Sequence, residues 1–162
     1  MSEAIENSEF ELFRKQALRE AIVVQSKTFV QLAQMYLSEI PLAGAAAFRK
    51  KDGKEEILIN WDYYQNHLGS GENFTDLIDF EIDHEAYELW ETRNAQEKID
   101  PKGPAHYNAI KYAMRKVNDA GKLDRYMELK RRQFEFFEKH GDTEARNEFD
   151  FYENYAKDLK QH

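Results

Sequence analysis

Apolar residues recur along most of this chain with the spacing of amphipathic helices. The first such stretch covers residues 7–40 and ends before a proline, and either Asn7 or Ser8 is suited to cap its start. β-Branched and polar residues at positions 24–27 lower helix propensity and mark a place for a break. The pattern predicts an N-terminal helical segment within residues 1–41.

A different pattern follows this segment. Gly44–Arg49 and Glu55–Trp61 are two short apolar runs, and the dipeptide Asp52-Gly53 lies between them. Asp-Gly between two such runs is a strong signal for a β-hairpin. We therefore expect one hairpin, with Ile57 and Ile59 on the same face of its second strand.

The rest of the chain returns to helical spacing. We expect four helices, over residues 73–93, 104–120, 123–140 and 142–162. Pro104 suits the first position of the second of these helices, and Gly121 suits its C-terminal cap. The last two helices are expected to pair as an antiparallel hairpin.

These elements predict a mainly helical α+β protein, in which one β-hairpin precedes the helix over residues 73–93 and a helical hairpin forms the C-terminal part. A length of 162 residues is typical of a single domain. Within it we distinguish the N-terminal helical segment (1–41), the hairpin with the next two helices (44–120), and the C-terminal helices (122–162).

The helix over residues 73–93 has polar residues where its buried side should be apolar. Its apolar face is defined by Phe74, Leu77 and Ile78. Four ionisable side chains lie on that face or at its edge: Glu81, His84, Glu85 and Glu88. Burying such groups costs free energy unless a metal ion, a proton or a partner compensates them. This conflict indicates a functional site.

His84 and Glu88 stand one helical turn apart, so both can reach a single cation. The string His84-Glu85-Ala86-Tyr87-Glu88 resembles the HExxH motif of the zincin metallopeptidases, with Glu88 in place of the second histidine. The resemblance implies that His84 and Glu88 bind zinc and that Glu85 is the general base. It covers residues 44–117, because a strand before the motif helix also looks like the layout of compact zincins. In that layout the strand at Ile57–Asn60 would bind an extended peptide by main-chain pairing.

A catalytic zinc site needs a third protein ligand and keeps its fourth position open. His106 is the best candidate, because it opens the next helix on the same inward stripe as Ile110 and Met114. Glu81 and His84 also match one Glu-x-x-His element of di-iron bundles, but the chain has no second copy of that element. A structural ion, a hydrogen-bonded cluster, or solvated side chains on a differently rotated helix remain alternatives.

Composition narrows the function further. The formal charge of −8 argues against a nucleic-acid binder, which would usually present a basic face. The absence of cysteine excludes thiolate ligands and disulfides, so a metal ion would need histidine and carboxylate ligands. We see neither a signal peptide nor an apolar run long enough to span a membrane, and we expect a cytoplasmic protein.

The last two helices contain more aromatic residues than one buried stripe needs, including Phe136 and Phe151. Exposed aromatic surface of this kind would bind a protein or peptide partner, or form a homodimer. Two functions therefore stay open. One is a zincin-like zinc protein that hydrolyses peptide or amide bonds, or a degenerate relative of such an enzyme. The other is a non-enzymatic, acidic helical interaction module whose polar cluster is structural.

Overall fold

The computed structural model describes residues 2–36, 44–49, 52–67, 70–93 and 103–161. Its elements, in chain order, are α1 (Ser2–Glu20), β1 (Ile22–Val24), α2 (Ser26–Tyr36), β2 (Ala45–Arg49), β3 (Glu55–Asn60), α3 (Trp61–Gln65), a 3-10 turn (Thr75–Leu77), α4 (Ile78–Glu91), α5 (Pro104–Asp119), α6 (Leu123–Lys139) and α7 (Ala145–Gln161). The expected mainly helical α+β class, with its hairpin and its C-terminal pair of helices, is confirmed.

The chain forms two compact units, Met1–Ala109 and Ile110–His162. The first unit holds the sheet, the helices α1 to α4 and the first turn of α5. The second holds the rest of α5 with α6 and α7. The single-domain organisation expected from the chain length stays a prediction.

The sheet has three strands in the order β1-β3-β2. β2 and β3 pair antiparallel, with Ala45 opposite Ile59, and this confirms the predicted hairpin. β1 pairs parallel with β3, with Ile22 opposite Leu58. Because β3 is hydrogen-bonded on both sides, the expectation that an extended peptide pairs with Ile57–Asn60 is wrong.

The long N-terminal helix was predicted incorrectly in two respects. α1 already begins at Ser2, so neither Asn7 nor Ser8 caps it. The interruption is not a simple break but the strand β1, whose residues Ile22-Val23-Val24 are all β-branched and suit a pleated surface. α2 ends at Tyr36, and the expected end near Ile40 lies outside the described residues.

Two layers of helices cover the sheet of the first unit. On one face, Leu58 is fully buried with Ala46 and Phe48 of β2 against Phe29 and Ala33 of α2. The alternation of a strand places Ile57 and Ile59 on the opposite face, where both are buried as expected. α4 packs on β2 and β3, and α1 packs on α4 and β3. This packing holds the motif helix against the sheet.

The predicted boundaries in the second half of the chain are close to the observed ones. α5 begins at Pro104, and Gly121 with a φ of 73° separates it from α6. α6 and α7 pack against each other, with the rings of Phe134 and Phe149 4.9 Å apart. Phe136 and Phe151 are half-buried. Among the described residues, no helix is both long enough and apolar enough to cross a membrane.

Candidate metal centre

The helix α4 does bury ionisable side chains together with its apolar face. Ile78, Ile82, Ala86 and Leu89 are buried, as expected of a helix packed on a sheet. Four ionisable residues are also at most 6% exposed: Glu81, Asp83, His84 and Glu88. Glu85 is half-buried. The rotation of the helix inferred from the sequence is therefore correct for Glu81, His84 and Glu88.

Asp83 is a buried charge that the sequence analysis missed. Its carboxylate accepts hydrogen bonds from the Arg14 guanidinium, at 2.6 Å from Nε and 3.3 Å from Nη2. Arg14 lies on α1, so this ion pair joins two helices of the same unit. No local sequence pattern predicts this ion pair, because Arg14 and Asp83 are 69 residues apart in the chain.

The structure brings the three proposed ligands together. His84 Nε2 lies 3.2 Å from Glu88 Oε1, as the spacing of one helical turn predicts. His106, in the first turn of α5, places its Nδ1 2.5 Å from the same oxygen. One ligand atom from each residue lies within 4.8 Å of the others, and all three residues belong to the first compact unit. Glu81 is not part of this group. The Glu-x-x-His element of Glu81 and His84 therefore does not bring both of its side chains to one point, as a di-iron site would require.

The three residues could hold a metal ion, because their ligand atoms lie within 4.8 Å of one another. Two imidazoles and one carboxylate are a donor set found in catalytic zinc sites. Tetrahedral ligands at zinc distances are roughly 3.3 Å from each other. The 3.2 Å separation of His84 and Glu88 agrees with this value. The hydrogen bond between His106 and Glu88 would have to open by somewhat under 1 Å.

Two imidazoles compensate the buried charge of Glu88 when no ion is present. Burial opposes ionisation of Glu88, but the charge of His84 and the hydrogen bonds donated by His106 and His84 outweigh it. Together they lower the pKa of Glu88 to about 2. Burial lowers the pKa of His84, because it disfavours the charged imidazolium. The charge of Glu88 and its hydrogen bond outweigh that effect, so the pKa of His84 is raised. The cluster is therefore electrostatically satisfied as a carboxylate between two rings.

Glu85 has the opposite behaviour. Burial is the main cause that raises its pKa, to about 7, and the negative charge of Glu88 adds to the effect. His84 and His106 act in the lowering direction but are outweighed. These influences show that Glu85 lies within the electrostatic field of all three proposed ligands. Two carboxyl groups three residues apart thus have pKa values on either side of the ordinary one.

The second ring nitrogen of His84 is a point of difference from the usual zinc site. Histidine ligands generally hydrogen-bond a carboxylate or a carbonyl through their other nitrogen. Nδ1 of His84 is buried and has no hydrogen-bond partner among the described residues. His84 would therefore lack this outer support if it bound a metal ion.

His67, another histidine of the same unit, takes no part in the cluster. It is fully buried, and its Nδ1 lies 3.1 Å from the carbonyl oxygen of Tyr63. Its ring packs edge-on against Tyr63 and Phe74. These contacts describe a structural histidine below the 3-10 turn that leads into α4.

Comparisons with known proteins leave the resemblance to zincins resting on these residues alone. A scan against models of protein families, a search of curated proteins and a search of solved structures each found no match. The geometry of His84, Glu88 and His106 is thus the main basis for a functional proposal.

Proposed function

We propose that this protein binds a zinc ion through His84, Glu88 and His106 and hydrolyses peptide or amide bonds with Glu85 as the general base. The observation that carries the proposal is the convergence of the three donor atoms within 4.8 Å, from two helices that are separate in sequence. These three ionisable groups converge where α4 is packed against the rest of the unit, and such clusters occur often at functional sites.

Each residue has a role that its environment supports. A bound zinc ion supplies Lewis-acid chemistry and lowers the pKa of a water molecule. Glu85, with a pKa of about 7, is suited to accept and return a proton near neutral pH. Glu88 stays ionised across that range because its pKa is about 2, so it remains a ligand and does not compete for the proton. The two histidines hold Glu88 in place before any ion binds.

A second candidate is a structural cluster in a non-enzymatic interaction protein. The observation in its favour is that Glu88 already accepts hydrogen bonds from both imidazoles. A buried carboxylate in this arrangement needs no ion to compensate it. The two candidates differ in metal content and in the role of Glu85, and both differences can be measured.

Metal analysis of the purified full-length chain by inductively coupled plasma mass spectrometry is the first test. We expect near-stoichiometric zinc after dialysis against a metal-free buffer, and loss of most of it in His84→Ala and in His106→Ala. His140→Ala is the matched control, because His140 is an exposed histidine at the end of α6. Absence of zinc in the wild type, or equal zinc in all variants, would refute the metal site.

The second test separates catalysis from structure. Glu85→Gln should keep zinc and lose hydrolysis of a fluorogenic peptide mixture, because the amide cannot accept the proton. Glu91→Gln, which changes an exposed carboxylate on the same helix, should keep both zinc and hydrolysis. Loss of zinc in Glu85→Gln would make Glu85 a ligand. Zinc without any hydrolysis in the wild type would make the ion structural.

A further inference from the structure

The strand β2 lies at one edge of the sheet and, within the described residues, pairs with a strand on one side only. The amide of Asn60 in β3 donates a hydrogen bond of 2.7 Å to the carbonyl oxygen of Gly44, just before β2. In an antiparallel pair, residues that bond the partner strand alternate with residues that do not. Three residues of β2 therefore direct their backbone N–H and C=O groups away from β3: Ala45, Ala47 and Arg49.

These three residues form the β2 edge. Among the described parts of the chain, no backbone hydrogen bond reaches the edge from outside the sheet. Sheet edges of this kind pair readily with another strand, and proteins often protect them with charged residues, proline or a bulge. The run Gly44–Phe48 contains neither a charge nor a proline, and β2 pairs with β3 in an unbroken register. The β2 edge therefore has the features of a site for strand pairing.

The opposite edge of the sheet, on β1, offers much less. Since Asn60 bonds β2, its neighbour Ile59 directs its backbone groups towards β1. The parallel register sets Val23 opposite Ile59, so Val23 is the one residue of β1 whose N–H and C=O groups point outwards. A single outward residue cannot fix the register of another strand, whereas the three of the β2 edge can.

The β2 edge is complementary to a copy of itself. A two-fold axis at Ala47 would pair the edges of two chains antiparallel, with Ala47 opposite Ala47 and Ala45 opposite Arg49. Each such pair exchanges two hydrogen bonds, so every outward group of both edges would be satisfied. The same register sets Ala46 opposite Phe48 of the second copy, a small side chain beside a large one, and it opposes no like charges within the strand.

We infer that two copies of this chain associate through the β2 edge and form one continuous sheet with the strand order β1-β3-β2-β2-β3-β1. A second copy is favoured over an unrelated peptide because the outward groups are symmetric about Ala47, as the self-complementary interface of a two-fold dimer requires. The interface includes none of the proposed metal ligands and none of the aromatic residues of α6 and α7. The inference is therefore independent of the proposed function, and each can fail without the other.

Hydrogen exchange of the backbone amides tests the β2 edge directly. The ¹⁵N-labelled full-length chain is measured by NMR at about 20 µM and about 1 mM, because one strand edge buries less than the roughly 800 Å² per partner of a tight interface. At the higher concentration we expect a dimer by analytical ultracentrifugation and at least tenfold slower exchange at Ala45 and Ala47. Val23 is the internal control, because its amide points outwards on the other edge and should exchange equally fast at both concentrations. A monomer at both concentrations, or a dimer in which Ala47 exchanges as fast as Val23, would overturn the inference.

Proline substitution provides a second test. Ala47→Pro removes an outward amide at the two-fold axis and leaves the pairing of β2 with β3 intact, since proline is tolerated on an edge strand at such a position. The dimer Kd should rise at least tenfold. Val23→Pro is the matched control, because it removes the outward amide of the other edge and should leave the Kd unchanged. If folded Ala47→Pro dimerises as strongly as Val23→Pro, the interface lies elsewhere and the inference is wrong. Should Ala47→Pro fail to fold by circular dichroism, the exchange measurement on the wild type decides alone.

Discussion

Replacing Glu85 with glutamine should change how the stability of the metal-free protein depends on pH. The ordinary pKa of this carboxyl is 4.5, and in the folded protein it rises to about 7. The folded protein therefore holds the proton more tightly than the unfolded chain. The contribution of Glu85 to stability is fully present below pH 4.5 and is lost as the pH rises to about 7.

The size of the effect follows from the shift. A difference between 4.5 and about 7 corresponds to at most about 3 kcal/mol of unfolding free energy. His84, whose pKa is also raised, stabilises the fold below its ordinary value of 6.5, and this stabilisation is lost at higher pH. Glu88 acts in the opposite sense, because its lowered pKa stabilises the fold above pH 4.5 and that stabilisation is lost as the pH falls towards 2. For these three groups together, the metal-free wild type should be most stable near pH 4.5.

Urea denaturation in EDTA between pH 4 and 8 measures this profile. The unfolding free energy is expected to fall by about 2 kcal/mol per molar urea, so a change of about 3 kcal/mol would move the midpoint by about 1.5 M. Glu85→Gln should gain up to about 3 kcal/mol relative to the wild type between pH 4.5 and pH 8, because its amide stays neutral. Glu91→Gln should follow the wild-type curve, since Glu91 is exposed. Parallel curves for the wild type and Glu85→Gln would show that Glu85 does not lie in a buried, negatively charged environment, and would remove the reason to treat it as a base.

Three further predictions concern stability. Arg14→Met should lower the unfolding free energy by about 3 kcal/mol, because buried Asp83 loses the guanidinium that neutralises its charge. In an Asp83→Asn background the same substitution should cost under about 1 kcal/mol, and a double-mutant cycle in urea measures the difference. Gly44→Ala should cost about 2 kcal/mol by thermal unfolding, since an added Cβ would clash with the rings of Tyr63 and Tyr64. Gly53→Ala, which meets open space at a φ of 85°, should cost about 1 kcal/mol. Zinc at about a hundred times its Kd should raise the unfolding free energy by about 3 kcal/mol at pH 7.5, and His106→Ala should abolish this gain by calorimetry.

Elements with local signals could be predicted from the sequence. The hairpin follows from Asp52-Gly53 between two apolar runs, and α5 follows from Pro104 and Gly121 at its ends. β1 could not be predicted in the same way, because three residues carry no period of their own. Its formation depends on pairing with β3, which follows much later in the chain. That pairing also placed β3 in the centre of the sheet and left no free edge at Leu58–Asn60 for main-chain pairing with a peptide.

The candidate site shows the same division between local and tertiary information. His84 and Glu88 are one turn apart in a helix, so their contact follows from spacing alone. His106 could be proposed only from the inward stripe of α5, and its contact with Glu88 depends on how the chain returns after α4. The ion pair between Arg14 and Asp83 had no signal at all, because α1 and α4 meet only in the folded unit.

Glu88 is the residue at which the motif departs from the zincin signature, and the structure changes what this departure means. With histidine at position 88, two imidazoles would come from one helix, and a third ligand would complete the set. With glutamate there, the carboxylate comes from α4 and the second imidazole must come from elsewhere. His106 lies in contact with Glu88 and is the residue that would supply that imidazole. The departure at position 88 and the histidine at position 106 together give two imidazoles and one carboxylate, a combination that also occurs in catalytic zinc sites.

Exchanging the donors at these two positions tests whether they act together. Glu88→His combined with His106→Glu would keep two imidazoles and one carboxylate, now with both imidazoles on α4 as in the signature, and we expect it to bind zinc. Zinc binding by this double variant, and its loss in His106→Ala, would be the sharpest evidence that these positions act as one metal centre. Failure of the double variant to bind zinc, while the wild type binds it, would show that geometry at these positions matters more than the identity of the donors.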